Sequence, residues 1–279
     1  MPRLGVLGWP VAHSRSPAMH GAALRATGLD EEGWAYQHLP VPPDLFAETT
    51  RALRGTGFVG ANVTIPHKEA ALALADDATP RASAIGAANT LTFAPDGTVH
   101  ADNTDAPGTL AALPDDLRLA GARALVLGAG GSARAVVWAL VGAGADVHVW
   151  NRSADRAQEL AHDLGATVAA EVPADGGDLL VNCTSVGLHD PSATFKDLPV
   201  RADEIRDFRC VVDLVYREGG TKLLDTAAQS GCAVVDGLEI LVRQGALSFE
   251  HWTGVAAPLD AMREGARGTD TRSRHQDGT

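Results

Sequence analysis

A glycine-rich segment between an apolar run and a helical pattern constrains the fold of this chain more than any other feature. Residues 124–127 read Ala-Leu-Val-Leu, a run typical of a strand that is buried on both faces of a parallel sheet. The segment after it reads Gly128-Ala129-Gly130-Gly131-Ser132-Ala133. Residues 133–141 are rich in alanine and valine and fit a helix. A strand, a glycine-rich turn and a helix in this order predict a dinucleotide-binding turn.

Each small residue of this turn has its own physical role. Gly128 permits a tight turn, Gly130 lets the backbone approach a pyrophosphate, and Ala133 allows the helix to pack closely on the sheet. The start of the helix then presents unpaired N–H groups and a positive dipole end to phosphate. The alternative is a glycine-rich loop without a ligand, but the flanking strand and helix favour a nucleotide.

The end of the next strand indicates which dinucleotide is bound. NAD sites usually carry an acidic residue about 20 residues further on, which binds the ribose 2′-hydroxyl. Here the predicted strand at 147–150 is followed by Asn151, Arg152 and Ser153, without a carboxylate at the tip. Asn151 and Arg152 suit a 2′-phosphate, since they offer charge-assisted hydrogen bonds. The sequence therefore predicts NADP rather than NAD, with a solvated surface arginine as the alternative reading of Arg152.

Strands and helices alternate along most of the chain, which predicts an α/β fold. From residue 123 onward this alternation predicts an open, doubly wound parallel sheet with right-handed crossovers. In the first third, Ser16 is expected to be the N-cap of a helix at 17–27. The remaining predicted strands lie at 3–7, 34–39, 60–64, 88–93, 99–101, 179–182 and 211–215, and the helices at 43–53, 68–75, 154–164 and 241–249.

Two domains and two shorter segments are expected. Residues 1–104 form the first α/β domain and residues 105–237 the dinucleotide-binding domain. Residues 238–262 come too late to belong to the second sheet, so we expect them to return and pack on the first domain. Residues 263–279 are polar, charged and poor in large apolar side chains, which predicts a disordered tail.

Composition excludes several classes of partner. The formal net charge of −12 argues against a nucleic-acid or anionic-membrane binder, because either needs a basic face. The most apolar stretch, residues 135–145, is too short to span a bilayer. The cysteines Cys183, Cys210 and Cys232 are scattered, so we expect a soluble protein of the reducing cytoplasm. The ten histidines have no metal-ligand spacing; no metal is expected, and His67 is interpreted as structural.

Four polar clusters in the first third suit a polyhydroxylated acid. Each member also has a plainer interpretation: Ser16 as a helix cap, Lys68 as a surface lysine, Asp105 as the cap of the next helix. The clusters are Ser14-Arg15-Ser16-Pro17, Asn62-Val63-Thr64-Ile65-Pro66-His67-Lys68, Gly86-Ala87-Ala88-Asn89-Thr90 and Asn103-Thr104-Asp105.

In this order the clusters resemble the shikimate dehydrogenase family, and the resemblance covers roughly residues 3–258. It continues through the glycine-rich turn, Asn151-Arg152, Asn182-Cys183-Thr184-Ser185-Val186-Gly187, Asp213-Leu214-Val215-Tyr216 and Gln244. The resemblance implies NADP-dependent interconversion of 3-dehydroshikimate and shikimate, with a Rossmann-like second domain and either a monomer or a homodimer. A dual quinate/shikimate dehydrogenase and a non-catalytic regulator that binds NADP and a metabolite are the alternatives.

The resemblance also implies a role for individual residues. Lys68 and Asp105 are expected to be the catalytic pair, and the sequence leaves open which of them carries the proton. Ser14 and Ser16 are expected to hold the substrate carboxylate. Further substrate contacts are expected from Thr64, Asn89, Tyr216 and Gln244. The expected cofactor contacts are Gly128, Ala129, Gly130, Gly131 and Ser132 at the pyrophosphate, Asn151, Arg152 and Arg156 at the adenosine phosphate, and Leu214 and Gly237 at the nicotinamide end.

Overall fold

The chain is arranged as two compact units, and the computed structural model describes residues 1–173 and 176–268. The first unit consists of Met1–Ala82, Ala88–Thr104 and the residues from Leu241 onward. The second unit consists of Ser83–Ala87 and Asp105–Ile240. The chain passes into the second unit after Thr104 and returns to the first unit at Leu241. The sequence did not predict that Ser83–Ala87 belongs to the second unit.

A mixed sheet forms the centre of the first unit. The elements of residues 1–104 are β1 (Arg3–Gly8), α1 (Ser16–Thr27), β2 (Ala35–Pro40), α2 (Phe46–Ala52), β3 (Phe58–Val63), α3 (Lys68–Leu74), β4 (Asp77–Ala78), α4 (Pro80–Ile85), β5 (Thr90–Phe93) and β6 (Val99–Asp102). The strand order is β2-β1-β3-β5-β6-β4. β5 is antiparallel to β3 and β6, and the other neighbours are parallel. Leu7, Ala61 and Leu91 lie in its buried core.

The start of α1 differs from the prediction. The helix begins at Ser16 itself, the N-cap position is Arg15, and the Arg15 side chain makes no capping hydrogen bond. The prediction that Ser16 is the N-cap is therefore wrong. The reason is local: the Ser16 N–H donates to Ser14 Oγ at 3.3 Å, so the hydroxyl that serves this helix start lies two residues earlier.

A parallel sheet forms the centre of the second unit, which confirms the predicted doubly wound α/β fold. Its elements are α5 (Asp105–Ala112), β7 (Arg123–Leu127), α6 (Gly131–Gly142), β8 (Asp146–Trp150), α7 (Ala154–Leu164), β9 (Thr167–Val168), β10 (Gly177–Asn182), α8 (Thr194–Asp197), β11 (Phe208–Asp213), α9 (Lys222–Gln229) and β12 (Ala233–Asp236). All neighbours in the order β12-β11-β10-β7-β8-β9 are parallel. Residues 124–127 are buried in β7, as their apolar run predicts.

Two helices close the described chain, α10 (Gly237–Thr253) and α11 (Leu259–Arg267). The prediction of a disordered tail from residue 263 is wrong as far as Arg267. Met262 and Ala266 lie four residues apart on one buried face of α11, and Gly265 lets that face approach α1 closely. Residues 269–279, the rest of the predicted tail, lie outside the described residues. In the described part of the chain, no helix is long and apolar enough to cross a membrane.

Candidate active site

Two serine hydroxyls lie side by side where α1 begins. The Ser14 hydroxyl donates to Ser16 Oγ at 3.2 Å. The Ser14 carbonyl accepts a hydrogen bond from His38 Nε2 at 3.1 Å, which fixes the turn. Ser16 is buried, whereas Ser14 is half-buried. Two hydroxyls at the positive end of a twelve-residue helix form an arrangement that can bind a carboxylate.

The segment from β3 to α3 carries Thr64 and Lys68. The Thr64 N–H donates to Leu7 O at 2.8 Å, which holds the residue at the end of the sheet. Gly8 is needed opposite Thr64, because a Cβ at position 8 would lie 2.5 Å from Thr64 Cγ2. Lys68 is the first residue of α3 and is 9% exposed. Lysine is rarely buried to this extent unless it has a partner, so its burial marks a specific role.

His67, next to Lys68, is part of the core. Its ring stacks on Phe46 with a centroid distance of 4.3 Å, and Nε2–H donates to Val41 O at 2.7 Å. Burial lowers the pKa of His67 and outweighs the opposing effect of the Val41 hydrogen bond. The residue is therefore neutral at pH 7 and anchors the start of α3.

A buried group of amides and hydroxyls joins three distant segments of the first unit. Asn89 Nδ2 donates to Gln244 Oε1 at 3.0 Å and to Thr104 Oγ1 at 2.9 Å. The Thr104 N–H donates to Asn89 Oδ1 at 2.7 Å. The Gln244 amide is itself held by a bond from Nε2 to Leu241 O at 2.8 Å. Polar side chains fixed in this way can recognise hydroxyl groups at defined positions.

Thr104 belongs to this group; its cluster was predicted to suit the substrate, but no individual role was predicted for it. The same holds for Asn62, whereas Ser248 was not predicted at all: Asn62 Nδ2 donates to Ser248 Oγ at 3.2 Å, and the Tyr36 hydroxyl donates to Asn62 Oδ1 at 2.8 Å. A signal for Ser248 was available, since it lies one helical turn after Gln244 on α10. Nothing in the sequence pairs Tyr36 with Asn62.

His20 lies behind Tyr36 in the same unit. The two rings are parallel within 3°, with centroids 4.2 Å apart. Complete burial lowers the pKa of His20 to about 3. His20 is thus neutral over the physiological range, and its contribution is packing rather than charge.

Asp105 and Tyr216 belong to the second unit. Asp105 is the first residue of α5 and follows directly on Thr104. Tyr216 lies just after β11. The other five predicted substrate residues, Ser14, Ser16, Thr64, Asn89 and Gln244, lie in the first unit.

The glycine-rich turn has the backbone that a pyrophosphate site needs. Gly128 has φ of 113°, and a Cβ there would lie 3.2 Å from the Cys183 carbonyl carbon. Gly130 is different, because its φ is −100° and a Cβ there would meet no atom within 4 Å. Gly130 is the N-cap of α6, and as a glycine it has no side chain that could cap the first N–H groups of the helix. These N–H groups can bind an anion, and the open side of Gly130 leaves room for it.

The other predicted cofactor residues follow the strands β8, β11 and β12 of the parallel sheet, except Arg156, which lies in the first turn of α7. Asn151 follows β8, and its Nδ2 donates to Ser153 O at 2.9 Å. Arg152 and Arg156 are exposed, as guanidinium groups that receive a phosphate must be. Leu214 and Gly237 lie close together, because a Cβ at position 237 would lie only 2.5 Å from Leu214 O.

One carboxyl group near these strand ends is deeply buried. Asp213 Oδ1 accepts hydrogen bonds from Asn182 Nδ2 at 2.9 Å and from the Val215 N–H at 3.1 Å. Burial outweighs these bonds and raises the pKa of Asp213 to about 6. Within the residues that the structure describes, no three or more His, Cys, Asp or Glu side chains are grouped so as to hold a metal ion.

Three protein-family models match successive parts of the chain. The model described as shikimate dehydrogenase substrate binding domain matches residues 6–91. The model for shikimate/quinate 5-dehydrogenase matches residues 111–180. The model for the shikimate 5′-dehydrogenase C-terminal domain matches residues 237–266. The matches therefore fall on both units and on the closing helices.

Individual proteins match over nearly the whole chain. The NADP⁺-dependent shikimate dehydrogenase of Paracoccus denitrificans is 45% identical over 93% of both chains. The crystal structure of shikimate 5-dehydrogenase from Thermus thermophilus with NADP(H) and shikimate has a TM-score of 0.84 and 42% identity, covering 96% of this chain and 99% of that one. The ligand-free 5-ketofructose reductase of Gluconobacter sp. strain CHM43 has a TM-score of 0.82 and 32% identity, with 96% and 99% covered.

Proposed function

Because the chain belongs to the shikimate dehydrogenase family, we propose that it catalyses the reversible, NADPH-dependent reduction of 3-dehydroshikimate to shikimate. The observation that carries this proposal is the buried group of Asn89, Thr104 and Gln244 in the first unit. Its amide and hydroxyl groups fit a substrate with several hydroxyl groups. A site of this kind rejects analogues that lack a hydroxyl, because its buried polar groups would then lose a partner.

We assign the substrate carboxylate to Ser14 and Ser16 at the N-terminus of α1. Their hydroxyls lie 3.2 Å apart, a spacing that lets both donate to one anionic group. Thr64, Asn89, Gln244 and Tyr216 are assigned the further substrate contacts. The carboxylate contact fixes the ring, so that the carbonyl at C3 is presented to the catalytic groups.

We assign NADP to the second unit. The N–H groups at the start of α6 hold the pyrophosphate, together with the turn from Gly128 to Ser132. Arg152 and Arg156 hold the adenosine phosphate with Asn151, while Leu214 and Gly237 contact the nicotinamide end. The bound cofactor supplies the hydride in the reductive direction and accepts it in the oxidative direction.

Lys68 and Asp105 are assigned the acid–base chemistry of the reaction. Reduction of a ketone leaves negative charge on its oxygen, and an ammonium group at Lys68 Nζ stabilises that charge and donates the proton. In the oxidative direction the neutral amine accepts the proton from the hydroxyl. Asp105 orients the ammonium group and accepts a hydrogen bond from a neighbouring substrate hydroxyl.

The proposal is tested by initial rates on shikimate and quinate, each with NADP and with NAD. Wild type, Lys68→Ala and the surface control Lys196→Ala are compared, and NADPH binding is measured in parallel. We expect shikimate–NADP turnover that falls about 10²- to 10⁴-fold in Lys68→Ala, the usual contribution of a general acid–base group, with NADPH affinity unchanged. Lys196 is exposed on α8, so Lys196→Ala keeps the wild-type rate.

The other outcomes identify the alternatives. Comparable rates on quinate or with NAD would make the protein a dual quinate/shikimate dehydrogenase. NADPH binding without turnover of either acid would favour a non-catalytic regulator. 5-Ketofructose belongs in the same assay as a third carbonyl substrate, since the Gluconobacter reductase has a similar fold.

We also place the protein in the cytoplasm. No disulfide links Cys183, Cys210 and Cys232, and cysteines usually remain unpaired thiols in a reducing compartment. Cell fractionation with a tagged chain tests this placement.

A further inference from the structure

An ion pair with limited solvent access lies on the chain just before Asp105. Arg81 is in the first turn of α4, and Asp102 is the last residue of β6. Arg81 Nη2 donates to Asp102 Oδ2 at 2.6 Å, and Arg81 Nε donates to Oδ1 at 3.2 Å. The guanidinium therefore grips both carboxylate oxygens, which fixes direction as well as distance. The Asp102 side chain is only 18% exposed.

The Asp102 carboxylate also holds its own neighbours. Oδ1 accepts the Thr79 hydroxyl at 2.7 Å and the Asn103 N–H at 2.7 Å. Burial raises the pKa of Asp102, but the hydrogen bonds from Thr79 and Arg81 outweigh it and keep the pKa below its usual value. The group is therefore ionised at neutral pH. It ties the chain at Asn103 to the start of α4.

The backbone connects this pair to the segment that carries Lys68. The Asn89 N–H donates to Asp102 O at 3.1 Å, and the Ala88 N–H donates to Lys68 O at 2.8 Å. Ala88 and Asn89 are consecutive residues, so two neighbouring peptide groups hold the Lys68 segment and the Asp102 segment. Asp105 follows Asp102 by three residues.

We propose that Arg81 is a positioning residue for the dehydrogenase reaction: by gripping Asp102 it fixes the path of the chain through Asn103 and Thr104 into Asp105. This inference rests on the proposed function, because it requires Asp105 to take part in the chemistry. Arg81 itself touches no reacting atom. A displacement of about 1 Å in a catalytic group can lower a rate about a hundredfold, so loss of the Arg81–Asp102 ion pair is expected to lower kcat.

The chain offers a matched control in the same unit. Arg54 pairs with Asp76 at 3.0 Å, and Asp76 also accepts a backbone N–H, from Val99 at 2.8 Å. The Arg54 side chain is 28% exposed, against 34% for Arg81. The two arginines are thus alike in burial, and both pairs have a backbone contact at β6, but the Arg54 pair holds the first residue of that strand, Val99, whereas the Arg81 pair holds the last, Asp102.

The test compares Arg81→Ala and Arg54→Ala with wild type in kcat, in KM for shikimate and NADP, and in Tm. We expect kcat to fall at least about tenfold in Arg81→Ala only. KM for NADP stays at the wild-type value, because the nucleotide is bound by the second unit, and Tm falls equally in both variants. Guanidinium chloride at a non-denaturing concentration restores kcat in Arg81→Ala and has no such effect on Arg54→Ala.

If Arg81→Ala does not fold, Arg81→Lys takes its place in the test, because it keeps the positive charge and is expected to keep the fold. A lysine cannot grip both oxygens, so its kcat is expected to lie between those of wild type and Arg81→Ala. Provided that wild type turns over shikimate, equal kcat values in Arg81→Ala and Arg54→Ala would overturn the inference. If Arg81→Ala does not fold, a wild-type kcat in Arg81→Lys would overturn it instead. Absence of wild-type turnover would overturn the proposed function, and this inference with it.

Discussion

The two glycines of the nucleotide turn differ in a way that separates cofactor binding from stability. Gly130 has φ of −100°, which alanine adopts without strain, and a Cβ there meets no protein atom within 4 Å. Gly128 has φ of 113°, and a Cβ there lies 3.2 Å from the Cys183 carbonyl carbon. We therefore predict that Gly130→Ala folds normally but binds NADPH poorly, whereas Gly128→Ala is also destabilised.

The expected magnitudes follow from these geometries. Replacing a glycine of permitted φ by alanine stabilises a protein by about 0.4–1 kcal/mol, but alanine is a poorer N-cap than glycine, so the two effects oppose each other and the Tm of Gly130→Ala stays close to the wild-type value. The added methyl group occupies the open side where the pyrophosphate approaches. We expect the Kd for NADPH to rise at least about tenfold, which corresponds to about 1.4 kcal/mol. Gly128→Ala loses about 1–3 kcal/mol of stability from backbone strain alone, or about 2–4 °C in Tm per kcal/mol.

Fluorescence titration with NADPH and thermal unfolding without the cofactor measure both quantities. The informative result is the pair of values for Gly130→Ala: a raised Kd for NADPH together with a Tm that has not fallen below that of wild type. Wild-type NADPH affinity in Gly130→Ala would refute the reasoning, because the phosphate would then not approach this side of the turn. A loss of affinity that merely followed a loss of Tm would refute it equally.

Two further predictions concern stability. The pKa of Asp213 in the folded protein is about 6, above the value of about 4 in an unfolded chain, so the folded state binds more protons between these values and stability falls as pH rises through this window. Asp213→Asn is expected to remove this slope and to be more stable than wild type above pH 6, by up to about 3 kcal/mol; urea unfolding between pH 4 and 8 measures it, and an unchanged slope would contradict the assignment. Gly265→Ala places a Cβ 2.7 Å from both Ala18 O and Ala22 Cβ, so it is expected to lose about 1–3 kcal/mol, whereas Gly142→Ala, with no atom within 4 Å, loses none; equal Tm values in the two variants would contradict the tight packing of α11 on α1.

The second unit could be predicted well from the sequence because its signals are local. The apolar run of residues 124–127 and the glycines after it directly determine a buried strand and a tight turn. The helix α11 was not predicted, because its stability comes from packing. Met262 and Ala266 give only a weak sequence pattern, and the helix face that carries them is stabilised by its contact with α1.

In the candidate site, too, local sequence signals could be interpreted and long-range contacts could not. The sequence order identified Asn89 and Gln244, but their hydrogen bond joins residues that no local pattern connects. Tyr36 and Asn62 form a pair only because parallel strands bring β2 and β3 to either side of β1. Sequence periodicity reports which side chains are buried, and long-range partners depend on the topology of the sheet.

The first unit is built from both ends of the chain, and this affects the order in which the protein can be completed during synthesis. Gln244 hydrogen-bonds to Asn89 and Thr104, but it leaves the ribosome only after the whole second unit has been made. A chain that stops at Ile240, where the second unit ends, can therefore fold its nucleotide-binding half, whose strands are all present, without gaining a complete substrate site. Copies terminated at that point would bind the cofactor without consuming substrate.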